Sequence, residues 1–224
     1  MGRSVSLPLY LAVLGFAAAM GFLEAAVLVY LRALTHPDLF PLKDALLKLG
    51  PRLGSVETTR QLVAPLALLA PALLLNRTLP VRAALYVLTF AAWILASYGF
   101  LWLFLRWPGN LFTYDVLYLF PRPWIAPVIC PLAVAALLVT GASLYLYWAR
   151  NRQPRMPGLF QSLALGAGAL LLVLSFLWES DYYLRGGLPP RFAWGLFLGG
   201  YALALLGTVH LLYAFAKQEK ARFF

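Results

Sequence analysis

The stretch LPLYLAVLGFAAAMGFLEAAVLVYL, from Leu7 to Leu31, decides how the whole chain is read. It is unbroken apolar sequence apart from one carboxylate, Glu24. A helix rises about 1.5 Å per residue, so about 20 apolar residues cross a hydrocarbon core about 30 Å thick. This stretch exceeds that length. It also exceeds the apolar run of about 7–15 residues found in cleaved signal peptides, and a Glu interrupts it. The pattern predicts a retained transmembrane helix.

Working outward, five further stretches read the same way: Thr59–Leu75, Ala83–Leu105, Trp124–Trp148, Leu159–Trp178 and Phe192–Ala216. The second is short, and of the 18 Lys and Arg residues only Arg60, at its outer boundary, falls inside any span. Composition agrees, with 62% hydrophobic and 12% charged residues. A water-soluble domain carries about 45–50% and about 25%. A single Cys excludes a disulfide framework and a four-thiolate metal site, and two His residues leave little for a His-based cluster. The expected fold is all-α, an integral membrane bundle of six transmembrane helices forming one domain over residues 1–224.

The net charge of +10 points to anionic lipid rather than nucleic acid in a chain this apolar. One set of connections carries Arg3, Arg77, Arg82, Arg150, Arg152, Arg155, Lys217, Lys220 and Arg222 in short segments, with Glu219 as its one acid. The other set carries as many cations over longer segments, diluted by Asp38, Asp44, Glu57, Asp115, Glu179 and Asp181. The denser basic side is expected to be cytoplasmic, which places both termini inside. Trp107, Trp124, Trp178 and Trp194 then form an outer aromatic belt, and Tyr147, Trp148 and Tyr213 an inner one.

Small residues mark faces for close helix contact, expected to pack within the chain, with docking of a partner subunit as the alternative. Span 1 offers Gly15, Ala18, Ala19, Gly21, Ala25 and Ala26; span 5 offers Gly166 and Gly168; span 6 offers Gly195 and Gly199 in a GxxxG arrangement. Pro65 and Pro71 should bend span 2, and Pro127 and Pro131 span 4. No repeat relates the first three spans to the last three, which disfavours a transporter built from inverted halves.

Glu24 is the one carboxylate inside a span, roughly 7 Å outward of its midpoint. An acid in lipid must face the bundle and find a partner. Tyr98, at matching depth in span 3, is the expected partner of an uncharged Glu24, with a bridge to Arg60 as the alternative. His210 lies roughly 16 Å further in along the membrane normal, so it cannot pair with Glu24. It is expected to bond a carbonyl or Thr140, with a single axial-ligand role held open. His36 lies in an outer loop, so a haem held by both histidines is excluded by depth. Cys130 reads as a small hydrophobe.

The connection WPGNLFTYDVLYLFPRPW, Trp107–Trp124, is too apolar for a free loop and too short to span. Thr113 could cap a short interfacial helix up to Phe120, closed by Pro121 and Pro123. Asp115 is then expected to pair with Arg106 or Arg122, with a catalytic carboxylate as the alternative.

The run GFLEAAVLVYLR, Gly21–Arg32, resembles the first helix of an uncharacterised family of polytopic bacterial inner-membrane proteins. Glu57 and Arg60 fit the same pattern, as does the block from Trp93 through Trp107-Pro108 to Asp115-Val116-Leu117 and Pro121-Arg122-Pro123-Trp124. The resemblance covers the first four spans and implies a shared fold and a bacterial inner membrane, with no activity attached. The family has an Asp directly after the Trp matching Trp93, where this chain has Ile94. If that Asp and Glu24 form a carboxylate pair in relatives, half of it is missing here, which favours a scaffold over catalysis.

The function expected from these features is a non-catalytic subunit that stabilises a larger membrane complex, of the electron-transfer or light-energy kind. Its partners would be other membrane subunits and lipids. The alternative is a small membrane-embedded enzyme or carrier using Glu24, with a lipid or quinone as ligand; a transporter comes third. A pigment, quinone or lipid cofactor stays open.

Overall fold

The computed structural model describes residues 5–35, 50–75, 77–150, 152–185 and 191–220. Arg3, His36, Asp38, Asp44 and Arg222 lie outside them. Helix α1 is Leu7–Thr35, α2 Pro51–Ala67, α3 Ala70–Leu74 and α4 Leu79–Leu105. Strands β1, Tyr114–Tyr118, and β2, Trp124–Pro127, follow. Helices α5, Ile129–Trp148, α6, Leu159–Leu177, α7, Ser180–Leu184, and α8, Trp194–Lys220, complete the order.

Among the described residues, five helical segments are long and apolar enough to cross a membrane: α1, α4, α5, α6 continued through α7, and α8. The expected second span differs. It is broken into α2 and α3, because Pro65 lies inside α2 and Pro71 sits in the first turn of α3. Neither proline can donate to the carbonyl four residues back, so one regular helix does not run through.

Helix α1 buries Val13, Ala17, Gly21 and Ala25, a four-residue spacing that keeps one face toward α4. A Cβ on Gly21 would stand 2.7 Å from Ala96 Cβ and 2.9 Å from the Ser97 backbone nitrogen. Backbones this close gain dispersion contacts, the main attraction between helices in lipid. Helices α6 and α8 meet similarly. A Cβ on Gly168 would stand 2.8 Å from both Gly200 O and Ala204 N, and one on Gly207 2.9 Å from Leu165 Cγ. The GxxxG expectation is corrected here: Gly195 has nothing within 4 Å, and Gly199 makes only ordinary contact at 3.9 Å. Gly200 and Gly207, seven residues apart, face α6 instead.

The expected interfacial helix over Thr113–Phe120 is absent. Its place is taken by an antiparallel hairpin in which Tyr114 opposes Pro127, Asp115 opposes Ala126, Val116 opposes Ile125 and Tyr118 opposes Trp124. Aromatic and β-branched residues favour a strand, Pro121 and Pro123 stop a helix, and a complementary strand lies just beyond them. The expected span 4 includes that second strand, but α5 begins at Ile129 and not Trp124. Pro127 therefore ends a strand. Pro131 sits in the first turn of α5, where its missing N–H costs nothing, so neither proline bends the helix.

Candidate functional site

Helix α2 is polar on its inner side. Its buried residues are Glu57 and Gln61, while Leu53, Val56, Val63 and Leu66 are exposed. Polar groups at i, i+3 and i+4 share a helix face, so Glu57, Arg60 and Gln61 act as one unit.

Arg60 donates from Nε to Glu57 Oε2 at 2.8 Å and from Nη2 to Glu57 Oε1 at 2.6 Å. Its Nη1 donates to Glu24 Oε2 on α1. A single guanidinium thus joins two carboxylates from two helices. Its planar fork offers five donors, which suits such bridging. The Glu57 side chain is 3% exposed, Glu24 15% and Arg60 21%. Gln61 adds a bond from Nε2 to Glu57 Oε1 at 2.9 Å.

The hairpin closes on the same residues. Leu119 N donates to Gln61 Oε1 at 2.8 Å, and the Tyr118 hydroxyl donates to the Gln61 backbone carbonyl. That carbonyl is free because residue 65, its normal helical donor, is proline. Burial raises the Tyr118 phenol above its ordinary pKa and so keeps it a donor. Tyr118 also lies within electrostatic reach of Tyr86, Glu24 and Arg60.

Tyr118→Phe should strand the Gln61 carbonyl and lower stability by about 1–3 kcal/mol. In a Pro65→Ala background a helical N–H returns and the same change should cost much less. Detergent unfolding midpoints of the four proteins measure this coupling, and equal costs in both backgrounds would refute it.

The expected Glu24–Tyr98 pair is corrected: Glu24 bridges to Arg60, and the Tyr98 hydroxyl donates to Asp115 Oδ2 at 2.9 Å. Asp115 also accepts the Val116 N–H at 2.9 Å through Oδ1. Its expected cationic partners are engaged elsewhere. Arg106, which ends α4 at φ 51°, stacks over the Trp102 ring at 4.6 Å. Arg122 pairs with Asp181 at 2.9 Å, with both side chains well exposed. Such a surface pair contributes little.

No protein-family model matches the chain, and no curated protein or solved structure does either. The site rests on its own geometry.

His210 lies apart from this cluster. The Gln161 amide stands 2.9 Å from His210 Nδ1, in place of the expected Thr140, and the Phe160 ring packs at 4.9 Å. Among the described residues no three His, Cys, Asp or Glu side chains gather where they could hold a metal ion. The residues missed from sequence are Gln61 and Tyr118. The available signals were the Glu57, Arg60, Gln61 spacing on one face and a proline four residues after Gln61.

Proposed function

We propose that the chain is a non-catalytic membrane subunit that stabilises a larger membrane complex. The observation that carries this reading is the division of its glycines. Gly21, Gly141, Gly168, Gly200 and Gly207 make close internal contacts, whereas Gly15, Gly99, Gly166 and Gly195 are exposed with nothing within 4 Å. A glycine inside a helix costs about 1 kcal/mol against Ala and gains nothing when it faces lipid. On an outward face it lets a helix of another subunit approach closely. The inward carboxylates are meanwhile tied up in the Arg60 bridge and the Tyr98–Asp115 bond, as a scaffold requires.

Purification in mild detergent should yield the chain with other membrane subunits. Gly166→Leu and Gly195→Leu together should release them while the unfolding midpoint of the chain itself stays unchanged. A monodisperse monomer lacking partners, or full retention by the double variant, would defeat the reading.

One observation favours the second reading, an enzyme or carrier for a lipid or quinone. Arg60 bonds Oε2 of Glu24, which leaves Oε1 as the oxygen that would meet a ligand. Glu24→Gln separates the two. A scaffold assembles and works normally with Gln at this position, whereas loss of the complex's activity with assembly intact would assign Glu24 to proton transfer.

A further inference from the structure

We infer that the arginine-rich end of the bundle holds the phosphate group of an anionic phospholipid, gripped by Arg82 with Arg77 and Arg150 beside it. Val5, Val81 and Leu146 belong to one apolar cluster, with Leu75 and Ala149 packed against it. This brings three basic positions to the same end: Arg82 in the first turn of α4, Arg77 just before that helix, and Arg150 just after α5. Arg150 is partly committed, donating from Nε to Val5 O at 2.8 Å.

Arg82 is the decisive residue. Its Nε is buried and has no hydrogen-bond acceptor among the described residues. Arg82 as a whole is only partly buried, so the rest of its guanidinium remains within reach of an acceptor from outside the chain. The two connections that carry these arginines, residues 76–82 and 149–158, contain neither Asp nor Glu. At the start of α4 Thr78 makes no side-chain cap bond, so the N–H groups of Leu79 and Val81 lack a capping side chain, while Pro80 between them has no N–H to offer. The ligand this end meets in a bilayer is a headgroup, and arginine matches its phosphate oxygens in a two-pronged fashion.

The test uses the full chain, delipidated in mild detergent, with native mass spectrometry of added lipid. Phosphatidylglycerol should bind as a retained adduct, at least tenfold more tightly than phosphatidylcholine. Losing one charge-assisted bond should weaken that adduct about tenfold in Arg82→Gln. Arg82→Lys keeps the charge but loses the planar fork, so it should fall between. Arg185→Gln, at the far end of the bundle, should leave binding unchanged. Equal binding of the two lipids, equal binding by Arg82→Gln, or displacement by millimolar inorganic phosphate would each overturn the proposal, the last by showing a free-anion site. Should Arg82→Gln fail to fold, the ratio of Arg82→Lys to the parent decides.

Discussion

Arg60→Leu is expected to be the most damaging single substitution in the polar cluster, with a loss of about 3–5 kcal/mol. The reason is asymmetry. The native arrangement has one cation between two carboxylates, so removing the cation leaves Glu24 and Glu57 facing each other with no compensating charge. Glu57 is the worse placed, being 3% exposed. Removing a carboxylate is milder because Arg60 keeps the other. Glu24→Gln should cost least, since Gln retains an oxygen that accepts from Nη1. Glu24→Leu removes that acceptor and loosens α1 from α2. Arg60→Lys keeps the charge but cannot supply the fork, so it should fall between. Combining Arg60→Leu with Glu24→Gln and Glu57→Gln should recover most of the stability, because no buried charge is then stranded. Unfolding midpoints across this series measure the ordering. An Arg60→Leu protein as stable as its parent would show that the cluster sits in water and contributes nothing.

The series also explains what sequence could and could not disclose here. Hydropathy reported the long spans α1, α4, α5, α6 and α8 because lipid accepts only long apolar helices, and such a signal needs no knowledge of neighbours. Depth along each helix is equally readable, and it singles out Glu24, Tyr98 and Arg60. Rotation about each helix is not. Glu24 and Tyr98 share a level yet face different partners, α2 for one and the hairpin for the other.

The hairpin was hidden for a related reason. Its second strand, Trp124–Pro127, is apolar and runs directly into α5, so hydropathy merges the two. Strand pairing is a contact between separated segments, and no local pattern announces it. Tyr118 and Gln61 were invisible until that hairpin existed, since 57 residues separate them in the chain. Pro65 by itself predicts a bend. Its larger consequence, a freed carbonyl at Gln61, follows only when a donor is seen to arrive.

Gly168→Val is the second substitution expected to act strongly, and its logic is steric. A Cβ at Gly168 meets Gly200 O and Ala204 N at 2.8 Å, and both are backbone atoms that no rotamer change can move. Helices α6 and α8 must separate to admit it. Overpacking of this kind costs about 1–3 kcal/mol, and the loss of dispersion along the whole seam adds to it. Gly200→Val should behave alike, because its Cβ meets Gly168 O at 2.8 Å and Leu172 N at 2.9 Å. The pair should be less than additive, since helices already parted by one substitution have room for the other. Gly195→Ala supplies the contrast: with nothing within 4 Å, it should be neutral or slightly stabilising in the isolated chain, as Ala is the better helix former. Unfolding midpoints of these four proteins test the division of glycines into inner and outer sets. Equal losses for Gly168→Val and Gly195→Ala would erase that division, and with it the reason for placing another subunit against the outer faces.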